Sequence, residues 1–244
     1  MTALEIAVTG PAGARIAGTN GADRVELCAA LELGGVTPSQ ASIEAAAAAG
    51  PPVHVLVRCR PGDFCYDADE LALMRAEVRT VLAAGAAGVV IGALTDTGRL
   101  DTTAIRVLAD TAYEHGPAEV TLHRAIDRSA DPVAAVARAA ELGITRILTS
   151  GGAARAGAGI RTIERMVAVA GGVQVMAGGG VRTDDIPALV TAGAAAVHLS
   201  AKRPVAAREA NTAVPMGSAD TETHFVTDPA AVAAARTAID RAGG

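Results

Sequence analysis

The sequence predicts a single (β/α)8 TIM barrel, an α/β fold spanning residues 1–244. Three observations carry this expectation. The chain has 244 residues, close to the about 250 of one such barrel. Eight short apolar segments recur, starting at residues 4, 24, 53, 88, 119, 146, 173 and 196. Each interval has room for a strand, a helix and two loops. An open doubly wound sheet shares that local pattern, but no dinucleotide fingerprint follows the first segment. Gly10-Pro-Ala-Gly13 is not GxGxxG, and its Pro opposes the tight turn that fingerprint needs. No nucleotide cofactor is expected.

The strands are read in order as Leu4–Val8, Arg24–Cys28, Val53–Arg58, Gly88–Gly92, Glu119–Arg124, Arg146–Ser150, Val173–Gly178 and Ala196–Ser200. They are rich in β-branched residues, as suits strands buried on both faces. The interval Pro11–Asp23 is short and Gly-rich, a poor helix. Asp67-Ala-Asp-Glu70 reads as a capping box before a helix ending near Ala86. Asp101 opens a helix to about His115, and Asp131-Pro132 places an N-cap before a Pro at the first helical position. Helices are expected over Ile160–Ala170 and Thr183–Ala192, and from Asp228-Pro229 to the C-terminus. Gly85, Gly143 and Gly193 fit helix C-caps. Ala201–Thr227 reads as a long irregular stretch, unusual without a role. It is a candidate to cover the barrel mouth or to meet a partner.

Composition narrows function. The formal charge of −5 offers no general attraction for nucleic acid, and the absence of Trp with only two Phe and two Tyr leaves few stacking platforms. No apolar run approaches the roughly 18 to 20 residues that cross a bilayer, and no export signal is visible. A cytoplasmic protein without nucleic-acid or membrane partners is expected. Lys202 is the only lysine, so no strand-borne Schiff-base lysine is available. No zinc-ligand spacing such as HExxH occurs.

Polar residues gather at strand ends, which in a barrel converge on the face that carries active sites. Glu26, in an apolar strand, must be paired or have its pKa shifted. It is a candidate general acid or base, or the partner of Arg58 in a structural ion pair. Arg58 and Arg60 are candidate anion ligands. His123 is a candidate proton carrier, with Asp127 to orient it or to hold an Arg. His198 is a weaker candidate, and His54 sits early enough in its strand to favour the core. Ser150, Gly151 and Gly152 after strand six, and Gly178, Gly179 and Gly180 after strand seven, form loops whose amides suit an anion. A soft cuprous ion prefers thiolate. Among Cys28, Cys59 and Cys65, Cys28 is the candidate metal ligand, with an ordinary buried thiol as the alternative. Three cysteines without CxxC give no disulfide framework.

Several stretches resemble the copper homeostasis CutC family. They include Arg24-Val-Glu-Leu-Cys28, Gly34-Gly-Val-Thr-Pro-Ser39 and Pro52 to Tyr66. His123-Arg-Ala-Ile-Asp127 is similar to the family's HRAFD, with Ile126 at the aromatic position. Leu148 to Gly152, Met176 to Gly180 and Val197 to Ser200 continue the match. The family's RPRGGDF differs from Arg58-Cys-Arg-Pro-Gly-Asp-Phe64, where Cys59 stands at the Pro position and one Gly is missing. The resemblance implies a cytosolic (β/α)8 barrel, homodimeric, with copper (Cu+) binding or copper tolerance. It also places Glu26, Arg58, Arg60, His123 and Asp127 on the family's own polar positions. Two further functions stand beside copper binding. One is a metal-independent enzyme acting on a small anionic or phosphorylated metabolite through Glu26 and His123. The other is a non-catalytic homodimeric scaffold.

Overall fold

The computed structural model describes residues 1–206 and 223–243. The barrel alternates strand and helix from the N-terminus. Its first half comprises β1 (Ala3–Val8), α1 (Pro11–Thr19), β2 (Arg24–Leu27), α2 (Gln40–Ala47), β3 (Val53–Leu56), α3 (Ala68–Ala83), β4 (Gly88–Ile91) and α4 (Thr102–Glu114). The second comprises β5 (Glu119–Leu122), α5 (Pro132–Ala140), β6 (Arg146–Thr149), α6 (Ile160–Ala168), β7 (Gln174–Gly178), α7 (Ile186–Thr191) and β8 (Ala196–Leu199). All eight strands pair in parallel and in sequence order, and β8 closes on β1. The fold class and all eight strands expected from the sequence are present.

The helix starts follow local chemistry. Asp67 accepts from the Glu70 amide at 2.8 Å while Glu70 accepts from the Asp67 amide at 3.0 Å, the reciprocal capping box. Asp101 caps α4 through Ala104 N at 2.9 Å, and Asp131 caps α5 through Val133 N and Ala134 N. Two helices differ from expectation. Pro11–Thr19 is helical despite its glycines, because Ala14 and Ala17 lie fully buried on the barrel wall. Tertiary burial overrides the poor propensity of the segment. α2, capped by Ser39 accepting from Ser42 N, is an addition to the elements read from the sequence.

The stretch after β8 is not wholly irregular. β9 (Lys202–Ala206) and β10 (Thr223–Thr227) form an antiparallel ribbon before α8 (Pro229–Gly243). Residues 207–222 lie outside the described residues, so most of the stretch proposed as a cover for the mouth does too. Lys202 stacks on Phe225, its Nζ 4.0 Å from the ring centre, on this ribbon rather than inside the barrel.

Side-chain parity divides each strand between two surroundings. One row, exemplified by Leu4, Ile6, Val25, Val55, Ile91, Leu122, Ile147 and Val197, joins the helices in one large apolar cluster. The other row faces the barrel axis and is largely polar. It holds Glu5, Arg24, Glu26, His54, Thr121, Arg146 and His198, all buried. Two small apolar clusters interrupt it, Cys28 with Leu56 and Val90, and Leu148 with Met176 and Ala196.

Candidate functional site

Strand register assembles the polar interior. Glu5 on β1 pairs with Arg24 on β2 and with His198 on β8. Its carboxylate accepts from Arg24 Nε at 2.5 Å and lies 2.8 Å from His198 Nδ1. Burial alone would raise the Glu5 carboxyl. The hydrogen bond and charge of His198, with the charges of Arg24 and His54, outweigh that and hold it well below the usual range. An ionised Glu5 can only accept, so His198 Nδ1 donates. The register also sets Glu26 beside Ala7 and His54, one step nearer the mouth than Arg24.

Above this layer the C-terminal strand ends enclose a cavity of ≈ 220 Å³. Glu26, Leu56, Arg58, Phe64, His123, Arg124, Gly179, Gly180, His198 and Ser200 are among its lining residues. A larger hollow of ≈ 410 Å³ lies between the loops before α4 and α5, but its acidic group, Asp131, is occupied as a helix cap. The barrel mouth is the better candidate because buried titratable groups converge there.

Glu26 carries the clearest signal. One carboxylate oxygen, Oε2, is buried and has no hydrogen-bond partner among the described residues. Burial and the nearby Glu5 charge push its carboxyl up to about 7 against the pull of His198. His198 is also raised, the charges of Glu26 and Glu5 and the Glu5 hydrogen bond overcoming burial. His123 behaves oppositely. Burial, then the charge of Arg58, lowers it to about 3, so the ring is neutral. Its Nδ1 accepts from Ala125 N at 3.1 Å, which leaves the proton on Nε2, a buried atom without a partner. Gly92 makes room for this ring: a Cβ there would sit 2.5 Å from its Cε1. Phe64, absent from the residues singled out in the sequence, covers His123 with ring centres 4.8 Å apart.

Several expected roles change. Arg58 reaches the cavity but does not pair with Glu26. It donates to the carbonyls of Leu33, Gly35 and Gly62, lies over Phe64, and keeps a buried Nε without a partner. Arg60 is not in the cavity. It is tied to Glu70 and Asp63 outside the mouth, because β3 ends at Leu56 and strand alternation no longer applies at residue 60. Asp127 does not orient His123. Residues Arg124–Arg128 turn into a 3-10 helix, which directs Asp127 to Arg124 Nε at 2.8 Å and to the β6 loop. Ser150, Gly151, Gly152 and Gly178 do not line the cavity. Ser150 and Gly152 hold Asp127, Gly151 packs on the Gly159 backbone, and Gly178 leaves space for Leu148 and His198. Glu5, hidden in the first apolar segment, is the interior carboxylate that sequence reasoning missed. The same rule that singled out Glu26, a carboxylate in an apolar strand, would have found it.

The residues present fit cuprous ion poorly. Cys28 is fully buried beside Leu56 and Val90, and burial pushes its thiol up to about 12, against the thiolate that soft metals need. Among the described residues, the group placed to share an ion is Glu5, Glu26 and His198. It contains no sulfur, and Glu5 is already bound to Arg24.

Residues 2–203 match the model of the CutC family. A CutC family protein of Sinorhizobium medicae is 41% identical over 239 residues, covering 97% of this chain and 96% of its own length. One from Klebsiella pneumoniae is 43% identical over 202 residues, covering 82% and 81%. The crystal structure of the copper homeostasis protein CutC from Streptococcus agalactiae superposes with a TM-score of 0.76 at 28% identity. That match covers 82% of this chain and 99% of the other.

Proposed function

The chain belongs to the CutC family, and from that premise we propose that it is an acid–base enzyme acting on a small anionic metabolite. The observation that carries this reading is Glu26: a carboxyl with an unpartnered buried oxygen in the wall of the mouth cavity. Leaving such a group unpaired costs about 1–3 kcal/mol or more, a cost that a bound substrate would offset. The cavity, at ≈ 220 Å³, is below the about 300 Å³ at which drug-sized sites begin, so the substrate is small.

In this mechanism Glu26, near 7, takes and returns the substrate proton around neutral pH. His123 acts as a neutral donor: its Nε2–H stabilises negative charge that develops on a substrate oxygen. Glu5 fixes the His198 tautomer and orientation, so that Nε2 is the ring atom left for the cavity. Isomerisation, elimination and hydrolysis all use such groups. A metabolite screen identifies the substrate, and Glu26→Gln and His123→Asn then test the roles. Each is expected to slow turnover about a hundredfold or more; full turnover by both variants refutes the assignment.

Copper homeostasis, the role for which the S. agalactiae relative is named, is the second reading. It makes Cys28 the ligand of cuprous ion in a cytoplasmic homodimer. Anaerobic titration then gives stoichiometric binding that Cys28→Ser abolishes, and unchanged affinity in that variant removes this form of it.

A further inference from the structure

The cavity wall opposite in character to Glu26 is built from three loops. Arg124 follows β5, Gly179 and Gly180 follow β7, and Ser200 follows β8. The Arg124 guanidinium is fixed from behind. Its Nε donates to Asp127 at 2.8 Å and its Nη2 to Ser150 Oγ at 2.9 Å. Asp127 is itself held by Thr149 Oγ1 and by the amides of Ser150 and Gly152. Arg124 Nη1 has no acceptor among the described residues, and it lies over the Gly179 backbone. A Cβ on Gly179 would sit 2.8 Å from Nη1 and 2.6 Å from Cζ, and the residue has φ +98. Only glycine fits there. The Gly179 and Gly180 amides likewise have no backbone acceptor in the turns and loops among the described residues, and Ser200 lines the same cavity. Arg58 adds a second guanidinium to the same cavity, with its Nε unpartnered.

The geometry points to a phosphate seat formed by Arg124, Gly179, Gly180 and Ser200, so that the metabolite handled by Glu26 is a small phosphate monoester. The inference rests on the enzyme reading for its second half and on the loop geometry for its first. Donors arrive from three loops rather than in one plane. That arrangement suits the three terminal oxygens of a phosphoryl group better than the two oxygens of a carboxylate. The loops after the last two strands are also where barrels commonly seat phosphate. Ser150, which the sequence presents as a substrate contact, and Asp127, which it presents as orienting His123 or holding an Arg, are positioning residues for Arg124.

The test is binding to the full-length protein, followed by calorimetry and by 31P resonances. Probes are inorganic phosphate, glycerol 3-phosphate as a short monoester, and acetate as a carboxylate. Saturable one-to-one binding of both phosphate probes is expected, with the monoester at least as tight as free phosphate. Arg124→Gln should weaken it at least tenfold. Gly179→Ala, which keeps the charge but displaces the guanidinium, should weaken it comparably, and circular dichroism checks that both variants remain folded. Ser200→Ala gives a smaller loss and serves if either larger change unfolds the chain. Arg60→Ala, outside the cavity, should bind phosphate as the wild type does. Absence of saturable binding, wild-type affinity in the Arg124 and Gly179 variants, or displacement by acetate at equal concentration overturns the seat. If Glu26 proves essential to turnover while phosphate does not bind, the seat falls and the enzyme reading stands. If phosphate binds through Arg124 while Glu26→Gln keeps full turnover, the seat stands and the role of Glu26 falls.

Discussion

The floor and the mouth of the barrel interior are both lined with buried charge, yet they satisfy it differently. At the floor every charge has a partner. Arg146 donates to Glu119 at 2.7 Å, Gln174 at 3.0 Å and Thr121 at 3.2 Å, with His54 at 3.4 Å. His54 lies 3.4 Å from Glu119 on its other nitrogen, and burial lowers its pKa to about 4. At the mouth, Glu26 Oε2, Arg58 Nε and His123 Nε2 are buried without partners. Buried polar groups are nearly always paired, so the floor satisfies itself, while the mouth holds the groups that the proposed substrate would satisfy. Glu5 joins the two: it binds Arg24 on one side and His198 on the other.

The strongest challenge to this contrast is at the floor. Arg146→Ala removes a guanidinium that is only 2% exposed and leaves the buried Thr121 and His54 facing a cavity, while the half-exposed Glu119 stays in contact with water. The expected loss is about 1–3 kcal/mol of folding stability, read by urea denaturation. A loss below about 1 kcal/mol would mean that the floor network is no better satisfied than the mouth.

The mouth should respond in the opposite sense. Folded Glu26 holds its proton up to about 7, against an ordinary 4.5. A carboxyl raised in the folded state binds its proton more tightly there than in the unfolded chain. Stability therefore falls as pH rises through that window and levels off above it. The difference corresponds to roughly 3 kcal/mol. Glu26→Gln should stabilise the protein at pH 8 relative to pH 4.5 by up to that amount, when compared with wild type at each pH. A pH-independent difference would show that the carboxyl is not strained by burial.

His123 sharpens the comparison within the mouth. The ring is neutral across the working range because its pKa is lowered to about 3. His123→Asn should cut kcat about a hundredfold while keeping the shape of the pH–rate profile. Glu26→Gln should remove the limb near 7. Loss of that limb in the His123 variant instead would exchange the two roles.

Legibility in the sequence follows the same division. The eight strands were readable because their apolar row is continuous, and the caps at Asp67, Asp101 and Asp131 because capping is local. Glu26, His123 and His198 were readable as polar residues at strand ends, and all three line the cavity. What lay beyond the strands was not. Asp127 stands four residues after His123, but a 3-10 turn rather than an extended strand separates them. Phe64 belongs to the loop after β3, where no period predicts direction. Ala30 and Ala201, with φ of 47 and 40, flank the mouth after β2 and β8 in a backbone region that alanine rarely adopts. No sequence pattern signals that. α1 and α2 needed the barrel wall to become definite.

Arg60 gives the smallest effect and the cleanest control. Sequence parity with Arg58 makes it an anion ligand; the structure turns it outward, onto Glu70 and Asp63, with its side chain 36% exposed. Exposed pairs contribute little because water competes for both partners. Arg60→Ala should cost about 1 kcal/mol or less and leave both turnover and phosphate affinity at wild-type values. A tenfold loss of substrate affinity would instead place Arg60 at the mouth during binding. It would require the segment Arg60–Cys65 to swing inward, releasing Glu70 and carrying Phe64 off His123. An unchanged KM confines the cationic side of the site to Arg58 and Arg124, the two guanidinium groups that line the cavity.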